Sequence, residues 1–366
     1  MDLDANQIVV RDDRIAGCEP RYTVSRIVHL RTARSRPGVG MRRSWLALSG
    51  IVILALLSLP QAVEPQQSRV SRVGVVLQGG PYLSAIDGLR DGLREFGLEE
   101  GKQFVLDVRV GRGDVQSVET AARSLEAEQV ELIVAMTTSV TLAAKRATKR
   151  VPIIFYAGTD PVSAGLVQSF RRPGGRLTGI HRQSTDLTAK RLELLKEMIP
   201  KARRIVTFYR PDNPAAQQSV KIARDGARRL NLELIERPVG SVEELAVGLR
   251  ALQPGEVDAF FAVSDAMITS QTELVIATAK TKRLPTMLQE TGSVAQGALA
   301  AYGESYYALG RLSARPVHRV LLGANPSDVP VEQVTKLHFV VNLKTANAFG
   351  LTIPPSVLAL ADEVIQ

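Results

Sequence analysis

At 366 residues, with 45% apolar and 23% charged content, the chain has material for two ordinary domains with real cores and is neither fibrous nor disordered. Its formal charge of +9 is concentrated early, because residues 1–62 hold nine basic and five acidic groups and the rest holds 37 against 32. Those later charges are scattered, with no arginine block interleaved with aromatics, which reads as solvated faces and excludes a nucleic-acid footprint.

In chain order, residues 1–40 come first, with seven arginines, five acidic residues and the single cysteine, Cys18. At Met41 the sequence starts again: Arg42 and Arg43 precede an apolar run over 45–59, and no further charge occurs before Glu64. Charged-then-apolar is the order of a signal peptide, so 41–62 is expected to be one, cut near Ala62 although Pro60 is a poor neighbour to the cut. On that reading Met41 is the initiator and 1–40 is a disordered extension or no part of the natural product. The alternatives are a long leader, or a cytoplasmic tail before an uncleaved apolar anchor. A chain starting at Met41 has no cysteine, which excludes disulfides and lipid attachment; an exported, periplasmic, non-lipidated protein is expected.

From residue 69 onward, short apolar runs alternate with amphipathic stretches, the pattern of parallel sheets flanked by helices. Strand 73–77 leads through the turn QGGPY into a helix carrying Leu83, Ile86, Leu89, Leu93 and Phe96, ended by Gly97. Strand 104–110 follows, then a helix capped by Asp114 and running through Leu125, strand 131–136, a helix after TTSV, and strand 151–158. Beyond PGGRLTGI the pattern restarts. Thr185 or Asp186 caps a helix, followed by strand 203–209, a helix near 215–230, strand 232–239 and a helix opened by a Ser241–Glu244 capping box. Strand 257–263, a helix near 270–282 and strand 284–290 complete the second set. The tail predicts a helix over 305–322, a strand over 337–342 and a final helix near 356–365. The fold class is therefore α/β: two doubly wound, Rossmann-like lobes joined by a hinge. The expected division is 69–180 with a return near 304–335, against 181–303 with part of 336–366.

Catalytic constellations are missing from this sequence. It has no Walker A loop, no GxGxxG, no GxSxG elbow and no HExxH, and His181, His318 and His338 read as packing or surface residues. No enzyme activity, cofactor or metal is expected. What remains is a set of loops at strand ends: QGGPY (78–82), TTSV (137–140), YAGTDPV (156–162), SDAMITS (264–270), QETGS (289–293) and YGES (302–305). Singly, each is explained by caps, turns and packing. Six at matching places in two halves point to a ligand cleft at the carboxyl ends of the strands. The candidate ligand-binding residues are Gln78, Gly79, Thr138, Ser139, Thr185 and Glu290, with Tyr82, Tyr156 and Tyr302 for stacking, and Asp160 and Asp265 for an ammonium group or hydroxyls.

The stretches PIIFYAGTDPVSAGLVQSFRRPGGRLTGI (152–180), AKRLELLKEMIPKARRIV (189–206), LPTMLQETGSVAQGALAAYG (284–303) and DVPVEQVTKLHFVVNLKTANAFGLTIPPSVLALADEVI (328–365) carry a resemblance. The chain from about residue 69 to its end resembles the ABC-transporter substrate-binding proteins of the tryptophan/tyrosine-type uptake family. The resemblance implies a type I periplasmic-binding fold and a small molecule held between two lobes. It also implies delivery to an inner-membrane ABC permease, with Gln78, Thr138, Ser139, Asp160 and Asp265 in the binding loops. The QGGPY loop departs from that pattern, being glycine-rich where an acidic or histidine-bearing turn is expected. A monomer that binds a small polar or anionic, amino-acid-like solute is the leading expectation. A membrane-anchored sensory ectodomain is the alternative.

Overall fold

The computed structural model describes residues 70–366; the expectations for 1–40, for Cys18 and for the 41–62 segment lie outside the described residues. Its first sheet is built from β1 (Ser71–Leu77), β2 (Phe104–Val110), β3 (Leu132–Met136), β4 (Ile153–Ala157) and β5 (Leu177–His181), with β11 (Glu332–Gln333) at one edge. The order is β11-β5-β4-β3-β1-β2 and every pairing is parallel. β3 and β4 are apolar runs, and both, with β5, are buried along their whole length, as strands covered on both faces must be.

One face of this sheet is covered by α1 (Ser84–Glu95) and by a helix from far down the chain, α10 (Tyr306–Leu321). Leu89 and Leu93 of the first and Leu309, Ala314 and Val317 of the second join Val73, Leu77 and Val134 in one core. The other face packs under α2 (Val115–Ala127) and α3 (Thr138–Ala147), through Val118, Leu125 and Val140 against Val76, Ile133 and Phe155. Asp114 caps α2 as expected, accepting from the amides of Gln116 and Ser117.

The second sheet contains β6 (Arg204–Tyr209), β7 (Glu233–Pro238), β8 (Ala259–Phe261), β9 (Thr286–Glu290), β10 (Ala300–Glu304), β12 (His338–Asn342) and β13 (Glu363–Ile365). Its order is β13-β12-β10-β9-β8-β6-β7, and the β10–β12 pair is antiparallel among otherwise parallel neighbours. Helices α4 (Thr188–Met198), α5 (Pro214–Arg229), α11 (Leu343–Phe349) and α12 (Pro355–Leu358) cover one face, through Leu192, Val220, Ala346 and Val357. Helices α6 (Val242–Ala251), α7 (Ala266–Ser270), α8 (Thr272–Lys282) and α9 (Gly292–Ala295) cover the other, through Leu245, Met267, Val275 and Val294. The molecule is thus a two-lobed α/β protein in which the chain crosses between sheets after β5, after β10 and between β11 and β12.

Two local expectations are corrected and one is extended. Neither Thr185 nor Asp186 caps α4, because Leu187 and Thr188 donate their amides to the carbonyls of Gln183 and Thr185, and this extra turn moves the helix start to Thr188. The helix expected near 270–282 runs over Thr272–Lys282, and a short helix that was not expected, Ala266–Ser270, capped by Asp265, precedes it. The final helix stops at Leu358; residues 363–365 instead pair in parallel with β12, and the Asp362 carboxylate accepts from the Phe339 amide at 2.7 Å.

Candidate functional site

Loops from both lobes meet around two adjoining spaces. The outer one, of about 190 Å³, is lined by Gln78, Gly113, Val115, Ser139, Leu142 and Arg146 of the first lobe and by Arg210, Asp212, Asn213, Pro214, Ala266 and Met267 of the second. The inner one, only about 30 Å³, shares Ser139, Asn213 and Ala266 with it and adds Tyr82, Thr138, Gly158, Ser264, Asp265 and Gln289. Arg182 and Ser184, on the crossing segment after β5, complete its wall. Thirty cubic ångströms holds about one water, so the two lobes stand closed at this point. Their approach depends on glycine: a Cβ on Gly80, whose φ is +61°, would lie 2.3 Å from the Ser270 carbonyl oxygen across the cleft.

The sequence-predicted residues divide into three groups. Gln78, Tyr82, Thr138, Ser139 and Asp265 line the cleft. Gln78 is buried at the end of β1, and its Oε1 accepts from the Gly113 amide at 2.7 Å, which ties the first two strand-end loops together. Thr138 Oγ1 accepts from the amides of Gly158 and Thr159 at 3.0 and 3.3 Å, joining the loops after β3 and β4. Asp265 is buried, and burial pushes its carboxyl pKa up against the pull of its hydrogen bonds. One oxygen accepts from the amides of Met267 and Ile268, the other from the Arg210 amide and Asn213 Nδ2. That carboxylate is engaged by four protein donors, so it shapes the second-lobe wall and is not a free partner for an ammonium group.

Gly79, Thr185 and Glu290 lie close behind these walls. Gly79 enters the short 3-10 turn Gly80–Leu83 at a φ of +94°. Thr185 is fully buried with its hydroxyl unpartnered. Glu290 caps its own turn, accepting from the amides of Gly292 and Ser293 at 2.8 and 2.9 Å, and its pKa too is raised by burial. It lines a separate space of about 20 Å³ inside the second lobe.

Asp160, Tyr156 and Tyr302 are not in the cleft. Asp160 is partly exposed and folds back on its own turn; the Ser163 amide it accepts at 2.7 Å is the main cause of its lowered pKa. Tyr156 belongs to β4, and strand alternation turns its ring into the core beneath α10, where its hydroxyl meets Ser313 Oγ at 2.5 Å. Tyr302 likewise sits edge-on to Phe339, 6.4 Å between ring centres, against the second-lobe core.

Sequence reasoning passed over the residues at the crossing. Arg182 is 4% exposed, pairs through Nε with the Glu304 carboxylate and lies 4.6 Å over the Tyr306 ring, which in turn packs 4.5 Å from the Tyr82 ring. Burial alone would lower the Arg182 pKa, but Glu304, with Tyr306 and Tyr82 adding to it, more than reverses this and holds the guanidinium charged. Arg191 reaches beneath the crossing, donating from Nε to the Tyr302 carbonyl at 3.0 Å and from Nη2 to the Ser184 carbonyl at 2.5 Å; burial pulls its pKa down to about 10. The available signal was HRQST, an arginine placed directly after a buried strand at the junction of the two halves.

The fold and this cleft agree with what the chain resembles. The family described as ABC transporter substrate binding protein matches residues 72–365, and the chain belongs to that family. A relative from Clostridioides difficile (strain R20291), named a tyrosine-binding protein, is 30% identical over 266 residues, covering 72% of this chain and 76% of its own. Among solved structures, a Streptococcus pneumonia ABC domain in complex with L-Trp is 28% identical with a TM-score of 0.72, over 81% of this chain and 100% of that one. A ligand-free, open substrate-binding protein with adhesive properties from Clostridium difficile is 26% identical over the same shares, with a TM-score of 0.54.

Proposed function

We propose that this protein is the exported solute receptor of an ABC importer, capturing an aromatic amino acid between its lobes by hinge closure and presenting it to an inner-membrane permease. The observation that carries the reading is the cleft itself, with polar groups from both lobes and from the crossing segment around one small space. The outer space offers apolar wall from Val115, Leu142, Pro214 and Met267 for a ring, and the inner space offers the polar residues for a head group. Relatives named for tyrosine or solved with L-Trp support that choice of solute. The agreement with an open, ligand-free relative is lower than that with an L-Trp complex of nearly equal identity. That difference is of the kind a rigid rotation of one lobe produces, and it supports closure as the working motion.

The working lobe boundaries are 69–180 with about 304–335, and 181–303 with part of 336–366. On this reading the protein acts as a monomer in the periplasm, released by cleavage of the 41–62 signal peptide and not lipidated. Among the described residues no helix is long and apolar enough to cross a membrane, and no group of three metal-ligating side chains occurs. A thermal-shift panel of the twenty amino acids, common sugars and small carboxylates tests the proposal. L-Tyrosine or L-tryptophan is expected to raise the melting temperature, because a ligand that binds only the folded form stabilises it by mass action. A shift by sugars alone would overturn the choice of solute.

A further inference from the structure

The inner space holds a charge that closure leaves half-satisfied. Arg182 is buried and lines this space; Glu304 takes its Nε, and Nη2 has no hydrogen-bond partner. A guanidinium normally offers Nε and Nη2 together as a two-pronged fork to one carboxylate. Here one prong is filled; the other stands near the Tyr306 hydroxyl, itself unpartnered, and meets no acceptor in hydrogen-bonding geometry. A cationic donor buried without a partner is penalised in the closed form, and either water on opening or an anion on binding relieves it.

The opposite wall supplies complementary chemistry. Thr137, Thr138 and Ser139 form the start of α3, a ten-residue helix, and all three line the same space as Arg182. The first amides of a helix have no partner within it and face an anion with the positive end of the helix dipole. The acidic groups nearby do not compete for the empty prong: Glu304 is spent on Nε, Asp265 is engaged by four donors, and Glu290 caps its own turn.

We infer that Arg182 Nη2 and the N-terminus of α3 together hold the carboxylate of the bound solute, which makes Arg182 the residue that selects acids over their neutral or decarboxylated counterparts. The inference rests on the solute-receptor reading and deepens it. Arg182 stands on the crossing segment, so occupancy of its empty prong couples an anion directly to the closed form. An unliganded closure, or closure on an amine, leaves the donor orphaned.

The test is calorimetry of the purified protein with L-tyrosine and L-tryptophan, their carboxamides, their decarboxylated amines and a set of non-aromatic amino acids and carboxylates, repeated on Arg182→Lys and Arg182→Met. The wild type is expected to bind each acid roughly 10- to 100-fold more tightly than its amide, the range of a charge-assisted hydrogen bond. In Arg182→Met that preference is expected to collapse to near unity; in Arg182→Lys, which keeps a charge beside Glu304, part of it survives. The acid-to-amide ratio in the wild type needs no variant and guards against a misfolded mutant. Amides that bind the wild type as tightly as acids, or a preference undiminished in Arg182→Met, overturn the inference while leaving the aromatic solute in place. An Arg182-dependent preference seen only for non-aromatic acids upholds the inference and removes the aromatic solute. Binding of no carboxylate at all overturns both.

Discussion

Asp265 lines the cleft, yet both oxygens of its carboxylate are taken by donors of the protein itself. Its carboxylate caps α7 and clasps the loop after β6 through the Arg210 amide and Asn213. Asp265→Ala is therefore expected to cost stability, roughly 1–3 kcal/mol from the lost cap and the donors left unpaired, measured by urea unfolding. His181 gives a prediction in pH. It is 4% exposed, packs edge-on to Phe170, and both ring nitrogens are unpartnered, so burial lowers its pKa despite the partly offsetting charges of Asp186, Asp160 and Glu304. The unfolded chain takes up the proton near the ordinary value of about 6.5 while the folded protein resists it, so stability falls as pH drops through that value. Replacing His181 with leucine is expected to flatten the loss of stability between about pH 7 and pH 5; an unchanged slope would contradict the account. Two helix caps were legible from the sequence, at Asp114 and Ser241, whereas the start of α4 was not. Whether a tyrosine at a strand end faces the cleft or the core was not, because for Tyr156 that depends on the register of β4 under α10, a helix that begins about 150 residues later.

The crossing of α1 with α10 carries a clear test at the level of elements. A Cβ on Gly88 would stand 1.9 Å from the Tyr307 carbonyl oxygen, and one on Gly310 would stand 1.9 Å from that of Ala85. The two backbones touch, and a methyl group cannot be added without separating the helices. Gly310→Ala is expected to destabilise the first lobe by roughly 1–3 kcal/mol or more, the range for overpacking against atoms that cannot yield, despite alanine's better helix propensity. A urea midpoint at or above that of the wild type would show the crossing to be looser than described. The strands at 73–77, 132–136 and 153–157 were readable as apolar runs and that at 104–110 from its alternation, while the α1 stripe of Ile86, Leu89 and Leu93 was readable from its spacing. The C-terminal elements were harder, since β13 is three residues of a parallel edge and its strand character comes from pairing with β12, which no local pattern encodes.

The cleft is a property of the whole molecule, because neither lobe contains it alone. Gly80 and Ser270 approach so closely across it that a larger residue at position 80 must hold the lobes apart. Gly80→Val is expected to weaken solute binding at least 10-fold and to leave the radius of gyration unchanged on adding solute, where the wild type contracts, as read by small-angle scattering. Part of that loss comes from the backbone, since φ at Gly80 is +61°, a region that valine adopts poorly. The two-lobed arrangement was legible because the strand–helix alternation restarts near Gly179, whereas the site's central cation was not: only the meeting of the crossings after β5 and β10 brings Arg182 to Glu304 and Tyr306. The most direct measurement is calorimetric titration of the purified protein, stripped of any carried solute by unfolding and refolding, with L-tyrosine and L-tryptophan. The account predicts saturable binding at one site per chain, with a Kd of about 10 μM or tighter. The absence of any heat or thermal shift with either amino acid at millimolar concentration would contradict it.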